Sequence, residues 1–295
     1  MGARVLGLAE TASAGPGPVG DAVWPALGGG ADTRSFGLPA GPDPGFWARG
    51  WAVGRTAGSQ YDALRQLAAD GVLPAGHLFA LAGEGEGFHG QHGRPWRALR
   101  GNLHLCAVLD ADLPAAAWGP ALPALPAVAA LEAVAGVMGS AAELGLKWVN
   151  DVLLDGRKLG GVLTAVRVRD GRIERVFLGI GVNVATAPGD VDGLPAACLA
   201  ERCDRGVAAL AVAVLERIAA RWTALQADGP GPLVDAYRAS SAVLGRRVVV
   251  RPDGPEGSGG PPRRGTAVAI GDDLALHLDD GGAPLHHGRL VLGDG

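Results

Sequence analysis

Charged and polar residues recur along one predicted sheet of this sequence, and together they indicate a ligand site. Lys147 and Asp151 are four residues apart in a strand-like segment, where the two-residue period of a strand puts both on one face. Lys158 follows the next predicted turn. Each of them alone is typical of a solvated strand edge or a cation beside a turn. Asn183, however, stands polar after the apolar run 177–182, and buried polar side chains cost free energy without partners.

A glycine-rich segment at 83–93 offers a second candidate site. Residues 85–90 match the pattern GxGxxG after a predicted strand, but a dinucleotide-binding fold requires a helix to begin there. The following residues, from Gln91 to Trp96, show no helical period. The sequence therefore favours a loop whose backbone can approach a ligand closely, with Arg94 available for a phosphate or carboxylate.

The remaining reactive residue types do not form a recognisable catalytic set. His89 and His92 are three residues apart in the loop, and His286 and His287 stand near the end without zinc-ligand spacing, so no metal site is predicted. No serine-nucleophile signature of the GxSxG type occurs.

Composition narrows the function classes. A net charge of −4 without clustered Lys and Arg argues against a DNA or RNA partner. Hydrophobic residues at 48% and charged residues at 19% are typical of a globular chain. Three scattered cysteines predict a reducing compartment. With no signal-peptide pattern and no apolar run of ~20 residues, we expect a cytoplasmic protein without membrane contact.

The elements that must position these residues form an α+β pattern. Residues 1–45 are rich in Gly, Ala and Pro and predict an extension that is mostly loop, too short for a winged-helix DNA-binding domain. Between residues 46 and 244, apolar periodicity alternates between strand and helix. Predicted strands cover 77–82, 102–109, 146–154, 158–169 and 175–184, and predicted helices cover 62–69, 122–144, 207–225 and 233–243.

Two Asp-Gly pairs join the strands that carry the polar residues. Asp155-Gly156 and Asp170-Gly171 each stand between apolar strand-like runs, which is a strong signal for tight hairpins and predicts an antiparallel meander. Four short strands then follow within residues 245–295, which predicts a small β-barrel module after the α+β domain.

At this level of detail the sequence resembles the biotin protein ligase family, within the biotin/lipoate A/B protein ligases. The resemblance covers roughly residues 50–292. KWVND at 147–151 matches the family's Lys-Trp-Pro-Asn-Asp strand, and RKLGGVL at 157–163 matches its Arg-Lys-Leu-Gly/Ala-Gly-Ile-Leu strand. GIGVNV at 179–184 matches the later Gly-Ile-Gly-Ile-Asn-Val strand. Upstream, GRPW at 93–96 and GNLHL at 101–105 are similar to the family's Gly-Arg-x-Trp and Gly-x-Asn-Leu-Tyr-x-Ser.

That resemblance implies a fold and a set of site residues. The fold would be the mixed sheet with flanking helices of class II biotinyl/lipoyl ligases, followed by a small SH3-like β-barrel. Lys158 would hold the acid's carboxylate and the α-phosphate, Arg94 would bind phosphate, and Asp151 would organise the adenylation site. Further substrate or nucleotide contacts are implied for Ser59 and Gln60 in the biotin pocket, Trp96 near the nucleotide, Asn183 at the adenine, and Gly90, Gln91, Lys147, Asn150 and Gly161.

The implied reaction has two steps and several partners. Biotin and ATP, with Mg²⁺, would give biotinyl-5′-AMP and pyrophosphate, and a lysine of a biotin carboxyl carrier protein would then attack the mixed anhydride. The resemblance implies no metal held by protein ligands alone, and it allows a homodimer.

The ligand loop is where the sequence departs from the family. The family reads Gln-Thr-x-Gly-Arg-Gly-Arg-x-Gly-Arg where this chain has residues 85–94, and Arg94 alone of its arginines remains. Gly85 replaces the glutamine that meets the biotin headgroup, while His89 and Gln91 replace two permanently charged phosphate donors.

Two further departures concern neighbouring positions. Glu84 and Glu86 add negative charge that would repel an anionic adenylate if they pointed inward. Val149 takes the place of the family's proline, a change that a strand tolerates. The altered loop leaves three hypotheses open: a biotin ligase, a paralogous ligase for another acid such as lipoate or octanoate, and a non-catalytic ligand-binding relative.

Overall fold

A computed structural model of the chain describes residues 45–189, 195–253 and 261–293 in full and the backbone of residues 33–36. Most of the predicted extension at 1–45 therefore lies outside the described residues. Thr33–Phe36 corrects the expectation of loop there, since it forms an edge strand antiparallel to the next strand, with Thr33 opposite Val53. Pairing with the chain's own edge satisfies backbone groups that the amino-acid pattern alone does not reveal.

Among the described residues, the first sheet has eight strands in the order β1-β2-β3-β4-β8-β7-β6-β5. The pair β2 and β3 is parallel and the other neighbouring pairs are antiparallel, so the sheet is mixed, as predicted. The strands are β1 (Thr33–Phe36), β2 (Trp47–Thr56), β3 (His77–Gly85), β4 (Leu103–Pro114), β5 (Leu144–Lys147), β6 (Asp151–Leu154), β7 (Arg157–Arg169) and β8 (Arg172–Val182).

Helices cover both faces of this sheet. The helix Gln60–Ala69 packs with one apolar cluster, and the longer helices Ala124–Met138 and Val207–Asp228 pack with the other. The helices are α1 (Gln60–Ala69), α2 (Ala115–Trp118), α3 (Ala124–Met138), α4 (Val207–Asp228) and α5 (Gly231–Ala239), with 3₁₀ turns at Gln91–Gly93, Gly119–Ala121 and Leu199–Glu201.

Helix α3 is apolar on nearly all sides. The stretch Ala115–Met138 is long and apolar enough to cross a membrane by length and composition, although the sequence predicted no apolar run of this length. Within the described residues, however, 67% of its most apolar window is buried inside the molecule. The sheet on one side and α4 on the other account for this composition, since a helix covered all round can be hydrophobic all round.

Both predicted Asp-Gly turns are confirmed. Asp155 and Gly156 have φ angles of 50° and 72°, and Asp170 and Gly171 have 50° and 74°. Two consecutive left-handed residues match the twist of the flanking strands, which is why Asp-Gly pairs favour such hairpins. The meander β6-β7-β8 follows from these turns.

The predicted strand at 146–154 is wrong in one respect, because the chain turns in its middle. β5 ends at Lys147 and β6 begins at Asp151, with a tight turn between them. Distant groups hold this turn: the Tyr237 hydroxyl donates to Val149 O at 3.0 Å, and Trp148 Nε1 donates to Leu274 O at 2.7 Å. A reading of local periodicity cannot include these partners.

Two predicted helices end earlier than expected, for related reasons. α3 ends at Met138 rather than continuing to Leu144, because the following Gly139 has a φ of 75° and its N–H closes the helix on Ala135 O. α5 ends near Ser240 instead of Val243. The chain then pairs with the free edge of β5, where Leu146 N donates to Ser240 O at 2.7 Å.

A second, four-stranded antiparallel sheet follows in the described C-terminal residues, in agreement with the predicted small β module. Its order is β11-β10-β9-β12, and its apolar residues belong to the same cluster that underlies α3 and α4. The domain boundary near residue 245 stays a prediction. The strands are β9 (Arg247–Arg251), β10 (Arg263–Ile270), β11 (Leu276–Leu278) and β12 (Arg289–Leu292).

Candidate active site

A buried carboxylate lies between two lysine ammonium groups where β6 begins. Asp151 Oδ1 is 2.8 Å from Lys158 Nζ, and Asp151 Oδ2 is 3.2 Å from Lys147 Nζ. Burial alone raises the pKa of Asp151, but the two ammonium groups outweigh it and bring the pKa below its ordinary value. The carboxyl group is therefore ionised at neutral pH, and the formal charges of this lysine–aspartate trio sum to one positive unit.

Sheet register brings the trio together. Lys147 and Asp151 are cross-strand partners on either side of the tight turn, not neighbours along one strand as predicted. The register of β6 against β7 shifts between Val152 and Leu153, so that Leu153 lies opposite Lys158. Such an irregularity re-aims side chains, and here the Lys158 ammonium group reaches back to Asp151.

A cavity adjoins the trio and collects most of the predicted site residues. Its wall is formed by the loop after β3, the start of α1 and the strands β4, β7 and β8. Lys147 and Asn183 are not among the lining residues. Those predicted residues that line it are Ser59, Gln60, Gly90, Gln91, Arg94, Trp96, Asn150, Asp151, Lys158 and Gly161.

Trp96 forms an aromatic wall of the cavity against β8. A Cβ at Gly181 would lie 2.7 Å from the indole ring, so only glycine admits the ring at this distance. Trp96 Nε1 donates to His104 Nδ1 at 3.4 Å, and His104 Nε2 lies 3.2 Å from Leu99 O. Burial lowers the pKa of His104 despite that second contact, so the ring is neutral with its proton on Nε2.

Gln60 contributes an acceptor at the start of α1. Its Nε2 donates to His104 O at 2.9 Å. Its Oε1 is buried and has no hydrogen-bond partner in the part of the chain that the structure describes. A buried acceptor without a partner is costly, so an N–H group of a ligand would be favoured here.

The acidic residues near the loop do not enter the cavity. Arg55 Nη2 donates to Glu86 Oε1 at 2.7 Å, and Arg55 Nη1 lies 3.9 Å from Glu84 Oε1. Neither glutamate is among the lining residues. The repulsion of an anionic ligand that would follow from inward-pointing acids is therefore absent in this arrangement of the described residues.

Comparison with known proteins agrees with this geometry. A sequence model described as the biotin/lipoate A/B protein ligase family matches residues 81–183, a range that holds the loop and the trio. A biotin–[acetyl-CoA-carboxylase] ligase of Mycobacterium tuberculosis is 35% identical over 247 residues, which make up 80% of this chain and 85% of that protein. The chain belongs to the biotin/lipoate A/B protein ligase family.

Two further comparisons extend this assignment. A biotin–[acetyl-CoA-carboxylase] ligase of Paracoccus denitrificans is 32% identical over 210 residues, covering 69% of this chain and 85% of that protein. The structure of a biotin protein ligase from Aquifex aeolicus in complex with biotin and ATP superposes with a TM-score of 0.63 at 17% identity, covering 83% of this chain and 99% of that chain. At that identity the likeness shows the ligase family's fold.

Several lining residues of this family member were missed from the sequence. Phe88, His89 and His104 line the cavity, as does Tyr61. Their roles depend on contacts between the loop, α1 and β4, which are distant in sequence. His104 carries one available signal, since it is polar within the otherwise apolar strand 103–109.

Two predicted site residues act from outside the cavity lining. Lys147 reaches it only through Asp151. Asn183 is buried, with Nδ2 donating to Ala197 O at 3.1 Å and its backbone N–H donating to Leu159 O at 2.8 Å. In this structure the Asn183 amide joins the end of β8 to the segment after residue 195, and its contact with adenine stays a prediction.

Proposed function

We propose that this chain activates biotin with ATP and transfers the biotinyl group to a lysine of a biotin carboxyl carrier protein. Two relatives bear the name of biotin–[acetyl-CoA-carboxylase] ligase, and the Aquifex ligase was solved with biotin and ATP. The observation that carries the proposal is the buried trio of Lys147, Asp151 and Lys158 at the cavity wall.

The first step joins two anions, and the trio suits this problem. A carboxylate oxygen of biotin attacks the α-phosphorus of ATP, the bond to the pyrophosphate oxygen breaks, and biotinyl-5′-AMP forms. Lys158 lines the cavity and would offset the negative charge that concentrates where the two anions meet. Asp151 accepts from both ammonium groups and so fixes their positions, while Lys147 adds positive charge from behind.

The second step consumes the mixed anhydride. The amine nitrogen of the carrier's lysine attacks the acyl carbon, the bond to the phosphate oxygen breaks, AMP leaves with the electron pair, and the nitrogen loses its proton to water. Arg94 and Lys158 line the cavity and would retain the adenylate until the carrier arrives.

Mg²⁺ would enter with the ATP phosphates and neutralise their charge. Asp151 supplies the carboxylate of the cavity lining, and both its oxygens already lie beside lysine nitrogens. Across residues 45–189, 195–253 and 261–293, no group of three His, Cys, Asp or Glu side chains is suited to a metal ion. The donor set therefore fits a metal that is carried by the nucleotide.

Partners beyond the carrier protein, location and assembly belong to the proposal as well. A cytoplasmic location, the lack of a DNA or membrane partner, and a homodimer are proposed from sequence composition and family resemblance. The carrier acts on the same side as the cavity, because its lysine must reach the acyl carbon there.

A second acid remains a candidate because of one feature of the loop. A Cβ at Gly85 would lie 2.6 Å from the Phe88 ring and 2.9 Å from Thr56 O. Phe88 thus occupies the space beside Gly85 and lines the cavity, where it gives an apolar wall. Such a wall would also suit lipoate or octanoate.

Acid-dependent pyrophosphate release from ATP tests the function. With Mg²⁺ supplied, we expect release with biotin, and Lys158→Ala should lower the rate about 100-fold or more, the typical effect of removing one charge-stabilising donor. Arg157→Ala is the matched control, because Arg157 is the adjacent cation, does not line the cavity and pairs with Glu201 instead.

The outcomes separate the three hypotheses. Release with lipoate or octanoate but not biotin would favour the paralogous ligase. If ATP and an acid bind and no acid supports release, the chain is a non-catalytic relative and the proposal is wrong.

A further inference from the structure

His89 ties the glycine-rich loop to helix α1. Its Nε2 lies 2.7 Å from Asp62 Oδ2 in the first turn of α1, and its Nδ1 lies 3.1 Å from Gly90 O. Both ring nitrogens therefore face acceptors. A neutral imidazole has a single N–H and can donate only one of these hydrogen bonds, whereas the imidazolium can donate both.

Hydrogen bonds within the loop join the neighbours of His89 to one another. Gly90 N donates to Arg94 O at 2.7 Å, and Trp96 N donates to Phe88 O at 2.9 Å. Phe88, His89, Gly90 and Arg94 all line the cavity. A contact that fixes His89 against α1 therefore fixes one wall of the cavity.

We propose that His89 is a positioning residue that, when protonated, latches the loop against Asp62 and closes the cavity over the acyl-adenylate. Loss of the proton releases the latch and lets the adenylate escape. This inference rests on the proposed function, in that an adenylate must form for its escape to matter. The ligand is an anion, so a cationic loop residue beside it also favours retention.

The surroundings of His89 set the direction of the pH dependence. The hydrogen bond with Gly90 raises the pKa of His89, burial lowers it, Asp62 raises it and Arg65 lowers it, and the net effect is a rise. Among the described residues, Tyr61, Asp62 and Arg65 on α1 lie against the ring. His92 of the same loop and His286 and His287 of the C-terminal module line a surface cavity together with His89. Since the pKa is raised, the latch is complete below the ordinary imidazole range and is lost as pH rises through the folded-state pKa.

Escape of the adenylate into solution tests the latch. With biotin, ATP and Mg²⁺ but no carrier protein, we expect the wild-type escape rate to rise between about pH 6 and pH 9. The rise should be about fivefold, which is the size of effect that an exposed charge pair has on an equilibrium. His89→Gln and Asp62→Asn should both escape at the fast rate throughout. His92→Gln is the matched control, because His92 lies in the same loop but pairs with Asp253 at 3.2 Å, and it should keep the wild-type profile.

A second measurement keeps the latch testable without turnover. The imidazole of His89 can be titrated by NMR in the wild type and in Asp62→Asn, whose substitution should lower its pKa. If no adenylate forms with any acid, the proposed function fails, while this titration still decides the latch. A wild-type escape rate that does not change with pH, or a His89 titration unmoved by Asp62→Asn, would overturn the inference.

Discussion

At the scale of single residues, the site depends on one carboxylate that compensates two buried cations. Asp151 is 8% exposed, and Lys147 and Lys158 are 7% and 8% exposed. Removing one partner from a buried ion pair leaves uncompensated charge, which costs more than the pair itself contributes. The trio is therefore a structural requirement of the sheet as well as a means of binding anions.

Asp151→Asn should separate these two effects. The substitution keeps the volume but removes the charge, so we expect the free energy of unfolding at pH 7 to fall by about 3 kcal/mol. Because the pKa of Asp151 is lowered, its stabilisation is present above the unfolded-state value near 3.9 and is lost only as pH falls through the folded-state pKa. Urea unfolding at pH 7 and in acid measures the free energy of unfolding of the variant and of the wild type. The difference between these two free energies should shrink in acid.

Asp170→Asn serves as the control for that experiment. Asp170 is exposed in a left-handed turn position that Asn also tolerates. It should change stability by less than about 0.5 kcal/mol. An equal loss in both variants would show that the trio has no special electrostatic role.

At the scale of elements, local signals gave reliable predictions and distant contacts did not. The two Asp-Gly hairpins were predictable, because the residue types that adopt the left-handed conformation lie within the turn itself. The turn after Lys147 was not predictable, because it is held by Tyr237 and Leu274, whose hydrogen bonds span 88 and 126 residues of sequence. Likewise the loop could be predicted as ligand-binding, while the partner of His89 on α1 could not.

The site itself divides in the same way. Lys158, Asp151 and Arg94 were found from motif order, and the structure brings all three to one cavity. Asn183 was expected to face a ligand because it is polar in an apolar run. Its Nδ2 donates to Ala197 O, its Oδ1 is buried without a partner among the described residues, and its contact with adenine stays a prediction. A polar residue in an apolar run requires a partner, and the sequence does not reveal whether the partner is a ligand or the backbone.

Trp148→Phe tests whether the C-terminal sheet positions the turn between β5 and β6. Trp148 is buried, and its indole N–H donates to Leu274 O at 2.7 Å. Phenylalanine leaves that carbonyl without its donor, so we expect a loss of about 1–3 kcal/mol in the free energy of unfolding. The rate of adenylate formation by the folded enzyme should fall as well, because Lys147 and Asp151 flank this turn.

Trp222→Phe is a control of the same size change. Trp222 is fully buried, and its Nε1 has no hydrogen-bond partner among the described residues. Its substitution should lower stability through packing alone and leave adenylate formation by the folded enzyme unchanged. If both variants lose activity in proportion to stability, the turn does not depend on the C-terminal sheet.

At the scale of the whole molecule, the chain has very few side-chain amines. Of its 26 Lys and Arg residues, two are lysines and 24 are arginines. Both lysines belong to the buried trio. An acyl-adenylate reacts with amines, whereas the guanidinium group stays protonated in proteins and is not a nucleophile. The surface of the chain therefore offers the activated acid no lysine side chain.

This distribution predicts that the enzyme resists acylation by its own intermediate. Incubated with biotin, ATP and Mg²⁺ but no carrier, the wild type should gain at most one biotinyl group, at the N-terminal amine, by intact mass and peptide mapping.

Arg65→Lys places an amine beside the loop and should add a labelled site, whereas Arg246→Lys places one on the exposed start of the C-terminal module. Labelling at residue 65 alone means that the adenylate is intercepted near the cavity, and equal labelling at both means that it diffuses freely. Biotinylation of Lys147 or Lys158 in the wild type would contradict the prediction, since an acylated ammonium group could no longer compensate Asp151.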